Sequence, residues 1–205
     1  MSLVGEHPEV EPLLGEPRDG AQRARLLEAM TLAVGEKVYA AATVADAVRG
    51  ARVSRGTFYA LFDSKEACFL EAYRHGIDVL VARLDAAVRA TPGDWRAKLR
   101  AAVRAYLAEL DAEPRFARAH LFEIHVAGPA AAAQRDATIA RFAQRYRASF
   151  AAAGEPGRVP SDDALFVLSA GIDQLVCAHM RQGGRAAELE DTLVDIATTL
   201  GGPWT

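Results

Sequence analysis

The chain has 205 residues, of which 51% are hydrophobic and 25% charged, and its formal net charge is −3. That balance gives a globular fold with a sizeable core rather than a disordered chain. Cys68 and Cys177 are too few and too far apart for a disulfide framework or a four-cysteine zinc site, so they read as reduced thiols packed as small hydrophobes.

Residues 1–20 contain Pro8, Pro12 and Pro17, carry mostly acidic charge and lack helical periodicity, which predicts a mobile acidic arm. From Gln22 to Lys37, Leu26, Leu27, Met30, Ala33 and Val34 recur at helical spacing and predict a first amphipathic helix. Thr43, with Asp46 three residues on, makes a capping-box start for a short second helix that turns Val44, Ala47 and Val48 inward. Ser54 is the next N-cap, and it opens a third helix only a few residues after the second must end near Gly50 or Ala51. Two short helices joined by so tight a turn predict a helix-turn-helix, whose second helix enters a DNA major groove. At about 100° per residue, Phe58 and Leu61 fall on one side of that helix and Arg55, Gly56, Tyr59 and Ala60 on the other. Residues 21–65 carry a net +3 on an otherwise acidic chain, a candidate surface for an anionic partner.

Ser64 starts a fourth helix at Lys65, which runs through Phe69, Tyr73, Ile77, Leu80 and Leu84 until Thr91-Pro92-Gly93 stops it. It is long enough to connect two lobes. Further helices are predicted at about 94–111, 115–126, 129–152, 161–182 and 186–200, about nine in total with no strand, so the fold class is all-α. No apolar run approaches the roughly 18 residues that span a bilayer, and the acidic start lacks the order of a secretory signal. The expected location is cytoplasmic, without a membrane partner.

The segment YAAATVADAVRGARVSRGTFYALFDSKEACF, within a match of about residues 23–70, resembles the tetracycline-repressor (TetR) family of transcription regulators. It follows that family's order of Tyr, Thr-Val, Ala, Val-Ser-x-Gly-Thr-Phe-Tyr, Phe and Ser-Lys-Glu. Arg52 departs from it where the family usually has a glycine in the turn, and Leu61 where a histidine is common. The resemblance implies a helix-turn-helix DNA-binding domain over residues 21–65 and a helical ligand-binding and dimerisation domain over 66–205. It implies a homodimer on a pseudo-palindromic double-stranded DNA operator, acting as a repressor released by a small-molecule effector; no enzymatic activity and no cofactor are expected.

The DNA-contacting set is then Thr43, Ser54, Arg55, Gly56, Thr57, Tyr59 and Lys65. Arg55 suits a guanine or phosphate, Tyr59 a phosphate, and Thr57 either, while Gly56 and Ala60 let the backbone approach the bases. Thr43 and Lys65 lie at helix N-termini, where N–H groups and the dipole favour phosphate. Thr43 and Ser54 have the alternative of capping alone, and Lys65 of solvating a surface. The dimer is expected from the helices near 161–182 and 186–200, with Leu165, Leu168, Ile172, Leu175, Val176 and Met180 on the first stripe. Leu189, Leu193, Ile196, Ala197 and Leu200 form the second.

His120, Glu123 and His125 cluster on one predicted helix, but the histidines are not at i and i+4, so no metal site is expected. No Gly-x-Ser-x-Gly, phosphate loop or dinucleotide fingerprint occurs, and no catalytic residue is assigned. The family resemblance implies a small-molecule cavity among the later helices. Tyr106, Phe116, His120, Phe122 and Phe142 are its candidate walls, with His120 the polar handle; plain core packing is the alternative. A competing reading is a helical carrier or enzyme that keeps an unused helix-turn-helix.

Overall fold

The computed structural model describes residues 20–152 and 159–201. The expected acidic arm lies outside the described residues apart from Gly20. All regular structure in the described residues is helical. The first unit comprises α1 (Ala21–Lys37), α2 (Val44–Ala51), α3 (Arg55–Leu61) and the start of α4 (Lys65–Ala90). Side-chain caps set three of these starts: Thr43 accepts from the Asp46 N–H, Ser54 from Thr57 and Ser64 from Ala67. Each satisfies a backbone donor that has no partner within its own helix. Asp46 closes the predicted capping box by accepting from the Thr43 N–H.

Phe58, Phe69, Leu26 and Met30 are fully buried where these helices meet, and Phe62 is nearly so. Arg23, in the first turn of α1, pairs with Glu71 of α4, donates to the Leu61 carbonyl at 3.3 Å and lies over the Phe62 ring. One guanidinium thus fixes the end of α3 against two longer helices.

The chain continues through α5 (Trp95–Ala112), α6 (Pro114–Ala117), α7 (Pro129–Ala152), α8 (Asp162–Arg181) and α9 (Glu190–Gly201). A second core joins Leu107, Leu110, Leu165, Val176, Leu193 and Ala197. The regular helix expected at 115–126 is instead broken. After α6 come a π turn over Arg118–Phe122 and a 3₁₀ turn over Glu123–His125. His120 Nδ1–H donates to the Phe116 carbonyl at 3.1 Å, so the side chain competes for the acceptor its own backbone N–H would use in an α-helix. The following Glu123 N–H reaches back five residues to the Arg118 carbonyl.

The stripe expected at a dimer interface is also reassigned. Leu165, Leu168, Ile172 and Val176 of α8, with Leu189, Leu193 and Ala197, are buried within the chain, and Leu175 and Met180 pack against the same core. A 3.6-residue period marks a buried face without saying what buries it. The apolar side chains left exposed there are Phe166, Val167 and, on α9, Ile196. The Leu200 side chain lies outside the described residues. α8 also reaches a mean hydropathy of 1.2 over a membrane-span-length window, against the expectation of no such run. Its apolar content is dispersed around Asp173 and one face is core, so length and composition alone give that match.

Arg52 ends α2 with φ 54° and ψ 47°, the left-handed conformation for which a glycine is suited and an L side chain is not. Arg52→Gly should therefore stabilise the fold by about 0.5–1 kcal/mol, the relieved strain less the extra entropy of glycine in the unfolded chain. Urea unfolding of both proteins checks this; an equal or lower midpoint contradicts it.

Candidate DNA-binding face and ligand cavity

α3 is held by its buried face and presents the other. Phe58 is fully buried and Tyr59, its neighbour, is 51% exposed, with Arg55 beside the tyrosine ring. Gly56 and Ala60 are exposed on the same side. A methyl group added at Gly56 would meet only the Ser54 hydroxyl at 3.5 Å, an ordinary contact. Glycine inside a helix costs about 0.5–1 kcal/mol relative to alanine, and nothing within the described protein requires it here.

The other expected contacts are partly engaged. Ser54 and Thr57 hydroxyls share a hydrogen bond at 2.9 Å. The Thr43 hydroxyl donates to Asp46 at 2.8 Å, and Lys37 beside Asp46 holds that carboxyl down at about 2. Lys65 is turned inward: its ammonium donates to the Tyr39 carbonyl at 2.8 Å and the Ala42 carbonyl at 3.1 Å, and lies over the Tyr39 ring. Its first role is therefore to fix the α1–α2 connection. Arg49 and Arg52, which the sequence reading did not place in the contact set, are both exposed beside this face, and their position at the turn was the available signal.

A cavity of about 470 Å³ lies between α4, α5, α7 and α8. Tyr106, Phe116, His120 and Phe142 line it as the sequence suggested; Phe122 does not. Two residues beyond His120 is nearly the opposite side of any helical turn, and Phe122 packs on the second core beneath Arg181. Arg135, Tyr146, Ser169 and Asp173 are wall residues that the sequence reading missed. Arg135 and Asp173 form an ion pair at 2.5 Å, a pairing between residues 38 apart that local spacing could not reveal.

His120, Glu123 and His125 diverge. His120 stacks between Phe116 and Tyr73, with ring centroids 3.9 and 5.0 Å away, and Gly76 of α4 leaves the room that its ring occupies. Glu123 is buried and accepts from the Tyr39 N–H at 2.7 Å. His125 instead approaches Asp173 and Cys177, with one donor atom of each within 4.8 Å of the others. Asp173 is already paired with Arg135, and burial pushes the Cys177 thiol up to about 12, where it donates to the Leu121 carbonyl. Burial raises Cys68 similarly, to about 12. Neither thiol is activated.

Residues 26–72 match the family model of bacterial regulatory proteins of the tetR family. The match covers the N-terminal helix-turn-helix unit and assigns that domain, residues 26–72, to the family. The overall fold of the chain is that of TetR-family transcriptional regulators. FadR from Bacillus subtilis, solved in complex with stearoyl-CoA, superposes with a TM-score of 0.73 at 13% identity, covering 86% of this chain and 97% of that one. The fatty acid degradation regulator FadR from Bacillus halodurans gives 0.73 at 16% identity, covering 88% and 98%. A TetR-family transcriptional regulator from Streptomyces coelicolor gives 0.66 at 18%, covering 89% and 95%. No curated protein sequence matches the chain.

Burial lowers His120 from its ordinary value to about 4. Its folded value lies below the unfolded one, so the neutral ring contributes stability above about pH 6.5 that is lost as pH falls towards 4. Between pH 7 and pH 5 the wild type should lose about 2 kcal/mol more stability than His120→Gln, by urea unfolding at each pH. Equal losses would contradict the burial of a neutral imidazole.

Proposed function

We propose that the chain is a sequence-specific DNA-binding repressor, active as a homodimer and released from its operator by a small-molecule effector. The observation that carries the DNA-binding reading is the exposed α3 face, where Arg55 and Tyr59 flank a glycine that the protein's own packing does not need. Arg55 reads a base edge or phosphate, Tyr59 and Thr57 hold phosphate, and Gly56 admits the backbone. Thr43 and Ser54 cap their helices and aim N–H groups at phosphate, while Lys65 fixes the α1–α2 connection next to them. Residues 21–65 serve DNA and residues 66–205 serve ligand and partner.

The partner is a second copy seated on the outer face of α8 and on α9. Phe166 and Val167 are exposed there, and Gly171 has open space where a side chain would stand. A two-fold dimer sets two α3 helices into successive major grooves about 34–36 Å apart. The effector is an elongated, largely apolar molecule. The cavity follows α4 from Tyr73 to Val88, about 22 Å at 1.5 Å per residue, and FadR from Bacillus subtilis holds a long-chain acyl thioester in the same fold. Effector binding favours an arrangement of α4 in which the two recognition helices no longer match the operator. A hundredfold loss of affinity needs a bias of about 2.7 kcal/mol between the two arrangements.

Selection from random duplexes should yield a pseudo-palindrome. Arg55→Ala should cost about 1–3 kcal/mol and relax one position per half-site, whereas Tyr59→Phe should weaken all sequences alike. Unchanged affinity in both variants at matched salt removes DNA recognition from this face. Gly171→Leu, which meets no atom of its own chain, should give a folded monomer by sedimentation; a persistent dimer moves the interface elsewhere.

A further inference from the structure

The two ends of α3 have different surroundings. At its C-terminal end the starts of α2 and α4 stand together, because the Lys65 ammonium, on the first residue of α4, holds the Ala42 carbonyl just before Thr43. At its N-terminal end the α2–α3 turn gathers arginines from separate elements. Arg25 of α1 donates its Nε–H to the Ala51 carbonyl at 3.1 Å, Arg49 lies in the last turn of α2, and Arg52 is the turn residue itself. All three are exposed, and Arg55 opens α3 just beyond them.

Little negative charge offsets this cluster. Among the described residues no carboxylate pairs with Arg25 or Arg52, and Glu28, one turn along α1 from Arg25, forms no ion pair. Arg49 reaches only Asp46 Oδ1, at 3.5 Å, where the Lys37 ammonium already bonds at 2.7 Å; Thr43 donates to Oδ2. Arginines beside the last carbonyls of α2 complement its dipole, which gives Arg25 and Arg49 a structural use. Arg52 has no such use. Its backbone N–H closes α2 by bonding the Arg49 and Val48 carbonyls, a bond that any residue except proline supplies. Glycine would take its φ of 54° without the penalty of a Cβ, so the arginine side chain adds strain and brings only its charge.

α3 has seven residues and is about 10 Å long, against a major groove about 12 Å wide. Seated with Arg55 and Tyr59 toward the bases, it leaves its two flanks beside the two phosphate backbones that border the groove. Thr43 stands at one flank and the arginine cluster at the other. Building on the reading of the α3 face as the DNA-binding surface, we infer that Arg25, Arg49 and Arg52 clamp the phosphates of the strand opposite the one met by Thr43. The partner is the backbone of duplex DNA, and these three side chains read no base. Their contribution is a grip that is independent of sequence and weakened by salt.

The test uses the full chain and a duplex selected from random sequences, with affinity measured between about 50 and 200 mM salt. Arg52→Gly should bind about fivefold or more weakly at the lower salt, reduce the slope of log affinity against log salt by about 2 per dimer, and select the same sequence. The same substitution relieves backbone strain, so a loss of binding accompanied by a gain in stability separates contact from folding. Arg25→Gln should reduce the slope similarly, and Arg52→Lys should keep most of it. Arg74→Gln removes an equal charge from an exposed side chain bonded to Gln134 of α7 and should change neither slope nor affinity. Slopes equal to wild type in Arg52→Gly and Arg25→Gln overturn the clamp and leave the α3 face to be judged by Tyr59→Phe. An equal loss in Arg74→Gln also overturns it, because net charge alone is then responsible. A changed selected sequence in Arg52→Gly does the same, since the arginine then reads bases. A wild-type chain that selects no duplex overturns the DNA-binding reading and the clamp together.

Discussion

A single long helix that runs from the helix-turn-helix core into the wall of the cavity is the constraint on which the rest of the structure depends. α4 runs from Lys65 to Ala90, with Phe69 and Ala72 packed against the helix-turn-helix and Leu80 and Leu84 lining the cavity. An unbroken i→i−4 ladder transmits tilt rather than absorbing it, since a kink would need a proline, an inserted side chain or a π bulge. Whatever displaces the cavity half of α4 therefore displaces its capped N-terminus at Ser64, only a few residues beyond α3. The irregular backbone is placed instead on the facing element, at the π turn of residues 118–122.

That π turn is bound to both ends of the problem. Its His120 ring lies against α4 at Gly76 and Tyr73, inside the cavity wall. Glu123, immediately after it, takes the Tyr39 N–H while Lys65 takes the Tyr39 carbonyl. One residue of the α1–α2 connection is thus held by a carboxylate from the larger lobe and an ammonium from α4. Any relative shift of those two elements must stretch one of the bonds, which gives cavity occupancy a physical route to the DNA-binding unit. Spatial contiguity makes this a candidate route; coupling itself is defined by free energies of binding in the two arrangements.

The DNA-binding unit was legible in the sequence because its signals are local. Thr43 with Asp46, Ser54 with Thr57, and the opposed faces of Phe58 and Tyr59 all act within one helical turn, and the structure places each as the spacing implies. The cavity was legible only in its aromatic members. Arg135 lies on α7 and Ser169 and Asp173 on the next helix, α8, with Arg135 and Asp173 separated by 38 residues, so they acquire meaning only when α7 and α8 pack. Hydrophobic periodicity was ambiguous for the same reason: Leu165, Leu168 and Leu193 announce a buried face, but only the tertiary arrangement distinguishes core from interface. A regular period also hides the π turn, because its cause is one imidazole that captures a carbonyl.

Backbone strain is concentrated where these lines meet. Val38, with φ 66° and ψ 157°, occupies a region open in practice only to glycine, and a β-branched side chain there is disfavoured by about 1–3 kcal/mol. It persists because its surroundings over-determine it: its own N–H bonds the Val34 carbonyl, and Tyr39 on its far side is fixed through both backbone groups by Glu123 and Lys65. The strain is thus held by contacts from two separate elements, the larger lobe through Glu123 and α4 through Lys65. Under the proposed effector control, loss of either contact would release the strain at Val38, so α3 would shift without a large rearrangement of the fold.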